Sequence, residues 1–565
     1  MPKRLQVATG TDGAGAVTAM VERLAGSRMA SLAAILIVAL ACFLPGFSTL
    51  PPFDGDEPAY VVGARGMAAS GDFATIRVQT DRDGAWRPLG EHWLAAVSAL
   101  LAGQGSEPPV WVYRIPSLIA AVAVAMLTWW TALALGGPRA ALLAGLFVAG
   151  SGVLGLQARL AAPDAALVAA TTLAVGALAR IWLRSNRPAA TGIVFAFWGG
   201  LAAGILPKGP VAPAMVAMTL LVLSIERGSF VWLKRTRPVM GLIIVAAALT
   251  PWGIAVFVAL ISGGPVPDPA FLARIGVPSS LEAPPGTYAL LAPLLAGPAM
   301  TFIFLSFAWI ADHARKPAIL FALAWGVPFW LAMELIQSKL PQNILPVIPA
   351  VAVIAALAID AGGARLGGRI SVFFSSGPLV WPPIVAVVMP VAFWLIEGSY
   401  PFFALVAFAA AACCGPVAWL WLRRGCTVAA AVMSVVTVVF IYLGFFGVVV
   451  PGFSVLRVSE RTVAAAASTV PCAPRQFAVA GYPEESFVIA AGPETLLTDG
   501  AGAADFLNVR GCRVAAVDTS QISSFRQRAE DLGIEVVDND RVPGFNLRKM
   551  VAIEMHVFTA AGNLP

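Results

Sequence analysis

The sequence predicts a polytopic α-helical membrane protein with a small C-terminal α/β domain outside the membrane, and three observations predict it. Hydrophobic residues make up 59% of the 565-residue chain and charged residues only 12%, with a mean hydropathy of +0.82. A soluble domain of this size needs far more charge to cover its surface. Apolar runs of spanning length recur through residues 1–450, separated by turn-rich breaks. From Pro451 onward the composition becomes that of a soluble domain.

The apolar runs fall near 31–50, 115–136, 139–157, 162–183, 189–206, 209–226, 239–262, 288–310, 317–336, 343–360, 377–396, 401–421 and 427–450, about thirteen helices. Lys3, Arg4, Arg23 and Arg28 precede the first. That run is too long for a signal-peptide core and no small-residue cleavage site follows it cleanly, so an uncleaved first span is expected. An odd number of spans places the termini on opposite sides of the membrane.

The basic residues then fall into one alternating set: the N-terminal bases, Arg139, Arg180/Arg184/Arg187, Arg227/Lys234/Arg235/Arg237, Arg315/Lys316, Arg365/Arg369 and Arg423/Arg424. The positive-inside rule makes these cytoplasmic. The long first loop (about 51–110), the Arg159–Asp164 turn, Pro207-Lys208-Gly209, the 263–287 loop, residues 337–342 and the tail are then periplasmic. The expected setting is a bacterial inner membrane, with a cytoplasmic N-terminus and a periplasmic C-terminal domain. The net charge of +6 and pI near 9.1 follow from this topology and imply no nucleic acid partner. The sequence has no glycine-rich nucleotide loop and no zinc-spaced Cys/His set, so no metal and no cofactor are expected.

Residues 451–565 form the second domain. Gln476–Gly481, Phe487–Ala490, Arg513–Asp518, Ile534–Val537 and Met550–Phe558 read as strands, with helices over Ala503–Val509 and Ser524–Leu532. Cys472 and Cys512 each precede a predicted strand. A disulfide between them is expected, closing a loop of about 40 residues and stabilising the domain by roughly 4 kcal/mol. Cys42, Cys413, Cys414 and Cys426 read as small apolar fillers.

The chemistry concentrates on the outward side. Asp54-Gly55-Asp56-Glu57 follows almost directly on the first apolar run, and charge beside a span is costly enough to be functional by default. In the same loop Asp81/Arg82/Asp83 read as solvated, and Trp93–Leu101 as a helix lying in the interface. His92 is a site candidate beside Trp93, although an interfacial loop histidine also occurs without function. Asp164 opens the fourth run, where a carboxylate caps a helix whether or not it also reacts.

Lys208 and Lys339 sit at span ends on the side poor in bases, and with Arg87 and Arg274 they make an outward set of cations. A carboxylate there can act as general base on an acceptor hydroxyl while Arg and Lys take up the charge of a departing phosphate. A phosphate leaving from a lipid needs no cytoplasmic nucleotide.

Asp54-Gly55-Asp56-Glu57-Pro58-Ala59-Tyr60, followed by Gly66-Met67-Ala68-Ala69-Ser70-Gly71-Asp72-Phe73, resembles the aspartate-glutamate loop of the ArnT-like branch of GT-C glycosyltransferases. That branch includes the aminoarabinose transferase of lipid A and is related to protein O-mannosyltransferases. Arg87-Pro88-Leu89 with Trp93, Asp164-Ala165-Ala166-Leu167, Lys208-Gly209-Pro210, Ser338-Lys339-Leu340-Pro341, Gly481-Tyr482-Pro483-Glu484 and Gly544-Phe545-Asn546 support the match.

The resemblance implies a GT-C-like catalytic domain over residues 1–450 and an inverting transfer from a polyprenyl-phosphate sugar. The acceptor is a glycolipid or glycan, such as lipid A, or a protein; the enzyme works among membrane lipids as a monomer. Asp56 becomes the base, Asp164 a second site carboxylate, and Glu57 a supporting one. Asp54, Arg87, His92, Lys208, Arg274 and Lys339 bind substrate. Two departures stand out: the family's Glu-Lys-Pro is Trp86-Arg87-Pro88 here, and the Tyr after Lys-Leu-Pro is replaced near Asn343. A lipid-linked sugar flippase is the competing class, but it requires polar groups deep in several helices. These spans are nearly charge-free except close to their ends, at Asp164 and Glu334.

Overall fold

A computed structural model describes residues 13–74, 76, 88–103, 108–183, 188–261, 282–366, 373, 376–547 and 550–561. Among the described residues, nine helices are long and apolar enough to cross a membrane, from Val110–Leu135 to Thr427–Gly452. The number rises to eleven if each of two sharply bent helix pairs counts as one span. The expected runs near 139–157 and 209–226 supply shorter pieces: Pro138–Ala149 with Gly152–Gln157, and the 17-residue Val211–Arg227.

The first span stops earlier than its hydropathy suggests. Its helix is Arg28–Phe43, and the chain turns away at Pro45 and Gly46. Gly46 has φ +78°, and a Cβ there would lie 2.1 Å from the carbonyl oxygen of Phe446. Only glycine meets both demands, so the apolar residues up to Leu50 run across the helix ends. Beside this turn Arg159 is fully buried, donating to Pro45 O at 2.7 Å and to the carbonyls of Gly155 and Cys42. Its guanidinium also lies 4.1 Å from the ring centre of Phe446, so one side chain ties the first span, the Arg159–Asp164 turn and the last span together.

Helices Asp164–Leu183 and Thr191–Lys208 are antiparallel neighbours, which brings Asp164 and Lys208 to the same end of the bundle. A Cβ on Gly200 would sit 2.7 Å from Ala170 O and 2.8 Å from Ala174 N. Without lipid-excluding hydrophobic drive, this close backbone approach is how spans cohere. Ile348–Asp360 is buried along nearly its whole length at the centre, whereas Pro238–Ile261 and Gly377–Glu397 face outward with exposed Ile, Val and Leu.

The C-terminal domain holds a five-stranded sheet of β1 (Gln476–Ala480), β2 (Leu496–Thr498), β3 (Arg513–Asp518), β4 (Val536–Asn546) and β5 (Val551–Ala560), in the order β2-β1-β3-β5-β4. β1 is parallel to β2 and β3, and β5 is antiparallel to β3 and β4. Alternate residues face opposite layers. Ala478, Ala480 and Val517 pack under helices Gly500–Leu507 and Ile522–Asp531, while Val479 and Ala516 pack against Val458, Tyr482 and Phe487. The expected strand at 487–490 is instead part of a helix, Ser486–Ala491. A run this short carries no period of its own, and Phe487 is buried as a helix residue against the sheet. Cys472 and Cys512 are joined by a disulfide.

Candidate active site

The acidic loop separates into three carboxylates with three environments. Asp56 begins helix Asp56–Ser70, a first-turn position that suits a negative charge. Its side chain is exposed and makes no hydrogen bond or ion pair with a described residue. Glu57, next in sequence, is buried and saturated. It accepts two bonds from Arg114, at 2.7 Å from Nε and 3.1 Å from Nη2, and one each from the backbone N–H of Phe53 and of Ala161, both at 3.0 Å.

Arg114 is itself fully buried and donates further to the carbonyls of Phe47, Leu50 and Pro51. The pair therefore clamps the first acidic loop to the turn that begins the Asp164 helix. A buried ion pair of this kind is a positional device, costly to break on one side.

Asp54 points to the C-terminal domain. It accepts from the hydroxyl of Tyr482, and from Ser486 Oγ at 3.0 Å, while the Gly55 N–H donates to Glu484 Oε2 at 3.0 Å. Burial pushes the Asp54 carboxyl up to about 6, Tyr482 and Ser486 counter that by bonding to its charged form, and nearby Glu484 adds to the rise. Asp54 thus contacts the second domain through Tyr482 and Ser486.

Asp164 and Lys208 form the second centre, with Lys208 Nζ 2.5 Å from Asp164 Oδ1. Asp164 is buried and Lys208 partly exposed, so the ammonium is the accessible member. The first turn of helix Gly90–Leu101 abuts them. A Cβ on Gly90 would lie 2.7 Å from the carbonyl of Leu206, two residues before Lys208. Glu91, in that turn, has no exposed surface, and neither carboxylate oxygen has a hydrogen-bond partner. Burial pushes it up to about 8, with Asp164 adding to the rise. His92 is buried against helix Asp56–Ser70, its ring centre 4.8 Å from that of Tyr60.

Lys339 is buried. Its ammonium donates to the carbonyls of Met333 at 3.2 Å, Glu334 at 2.8 Å and Ile336, closing the end of helix Pro317–Leu335. Three donors meet three carbonyls, so in this structure Lys339 caps a helix end. Arg87 and Arg274 lie outside the described residues. Among the described residues no group of His, Cys, Asp and Glu is arranged to hold a metal ion.

The dolichyl-phosphate-mannose-protein mannosyltransferase family model matches residues 86–254, a stretch that includes Glu91, Arg114, Asp164 and Lys208. Among solved structures, ArnT from Cupriavidus metallidurans in the apo state superposes with a TM-score of 0.68 at 19% identity, over 96% of this chain and 98% of that one. The same protein bound to undecaprenyl phosphate gives 0.70 at 20% identity, over 95% and 100%. The chain has the ArnT fold. No curated protein matches it by sequence.

Within this ArnT-like fold, sequence reasoning missed two residues that organise the site. Arg114 stands one residue before the apolar run expected at 115–136, where a lone ionisable group at the mouth of a span is a functional signal in its own right. Glu91 was legible only as one more loop acid, since nothing in the sequence shows that its helix end is buried.

Proposed function

We propose that this protein is an inverting glycosyltransferase that moves a sugar from a polyprenyl-phosphate donor to an acceptor hydroxyl or phosphate of lipid A or another envelope glycan. It acts as a monomer at the periplasmic face of an inner membrane crossed thirteen times, with the N-terminus in the cytoplasm. No cofactor beyond the lipid-linked donor is needed. The observation that carries this reading is an exposed, unpartnered Asp56, next in sequence to a Glu57 locked to buried Arg114, together with an accessible Lys208 whose partner Asp164 is buried. The undecaprenyl phosphate held by ArnT of the same fold supports a donor of this class.

In the reaction, Asp56 removes the proton from the acceptor hydroxyl. The oxygen attacks the anomeric carbon from the face opposite the lipid, and the carbon–oxygen bond to phosphate breaks with its electron pair leaving on the phosphate. Lys208, with Arg87 and Arg274, takes up that charge. Glu57 with Arg114, and Asp54 with Tyr482, set the position of the Asp56 loop without reacting.

The test is transfer by purified protein in detergent, followed by mass spectrometry of lipid acceptors. Product forms there only if the protein is an enzyme, because detergent leaves no second compartment for a flippase to fill. Asp56→Asn is expected to reduce turnover by about 100-fold or more while donor binding persists. Undiminished turnover by this variant would remove Asp56 as the base.

A further inference from the structure

Glu91 is a residue the proposed reaction leaves without a task, and its surroundings are unusual. An acid in the first turn of a helix ordinarily accepts a backbone N–H of that turn. Glu91 accepts none, and both its oxygens are sealed from solvent without a partner. The rest of the buried face of helix Gly90–Leu101 is Gly90, His92, Ala95, Ala96 and Ala99, against which an apolar side chain would pack without desolvating a carboxyl. A buried, unpartnered acid beside the Asp56 helix and the Asp164–Lys208 pair points to a use that appears only when substrate is bound.

We propose that Glu91 is a positioning residue that donates a hydrogen bond to Asp164 when an anionic donor phosphate draws Lys208 away. The inference rests on the glycosyltransferase reading and deepens it. Lys208 neutralises Asp164 at 2.5 Å. A phosphate arriving at the accessible ammonium competes for it, and would strand a buried carboxylate without a counter-ion. Burial raises Glu91 to about 8 and the charge of nearby Asp164 adds to the rise, so near neutral pH it carries a proton to offer.

The other ionisable groups on elements packed against this helix are Asp56, Glu57, Tyr60 and Arg65 on helix Asp56–Ser70, Tyr113 and Arg114 on helix Val110–Leu135, and Lys208. His92 is on Glu91's own helix. Of these, Glu57 and Arg114 are committed to each other. No proton changes owner in this scheme; Asp164 exchanges one donor for another.

The experiment measures undecaprenyl phosphate binding to the purified full chain at several pH values. Wild type is expected to weaken about tenfold between pH about 7 and about 9 as Glu91 ionises. Glu91→Gln, which donates but cannot ionise, should bind within about twofold of wild type at neutral pH and lose the part of the pH dependence beyond that of the phosphate and Lys208. Glu91→Leu should bind weakly at every pH. A Gln variant with the wild-type pH profile, or a Leu variant with wild-type affinity, overturns the inference while leaving the glycosyltransferase reading intact. Failure of wild type to bind undecaprenyl phosphate at any pH overturns both.

Discussion

Glu57→Gln is expected to cost stability, because Glu57 holds the fold and does not meet substrate. The carboxylate accepts four N–H groups, two from Arg114 and one each from Phe53 and Ala161. Glutamine keeps one acceptor oxygen and turns an NH2 toward donors, leaving two of the four without a partner. It also leaves the Arg114 charge uncompensated in a site where neither side chain has appreciable exposure. Orphaned buried donors cost about 1–3 kcal/mol each, and one-sided removal of a buried pair about 3–5 kcal/mol.

The two costs overlap, and the carbonyls of Phe47, Leu50 and Pro51 still solvate Arg114. The net loss is therefore about 4 kcal/mol. Unfolding of the purified protein in detergent, followed by tryptophan fluorescence, measures it. Adding Arg114→Met should recover much of the loss, since a buried pair replaced on both sides is often close to neutral. If Glu57→Gln melts like wild type and yet abolishes transfer, Glu57 takes part in the chemistry and the structural assignment is wrong.

Two further outcomes are expected. Asp54 is raised from 3.8 to about 6, so the stability it contributes to docking of the second domain is present below about 4 and lost as pH rises through about 6. Hydrogen exchange at residues 482–491 should lose protection over that window in wild type, and Asp54→Asn should abolish the change; a wild-type profile in the variant would contradict it. Lys339→Met should lower the melting temperature, by removing three carbonyl contacts, with little effect on undecaprenyl phosphate affinity. A tenfold or greater loss of affinity in a folded variant would restore Lys339 to the binding site.

Much of the architecture was legible before any coordinates, because bilayer thickness and loop charge impose a strong pattern on sequence. Many of the expected runs coincide with long apolar helices, and Asp164 and Lys208 lie at the same end of their helix pair. Boundaries were less legible where a tertiary contact set them. The helix ends at Phe43 because Gly46 must clear the Phe446 carbonyl, some 400 residues later in the chain. The short run at 487–490 became a helix because it packs as one on the sheet.

The amino-acid sequence by itself determined that this is a many-span protein. Hydropathy and charge alternation are local properties, and the membrane enforces them residue by residue. Which acid does what was decided only by the tertiary structure. Asp54, Asp56 and Glu57 are nearly contiguous, yet one docks a domain, one is left exposed and one is locked to Arg114. A carboxylate's role depends on what desolvates and hydrogen-bonds it: the partners of Glu57 are Phe53, Arg114 and Ala161, those of Asp54 are Tyr482 and Ser486, and Asp56 has none among the described residues.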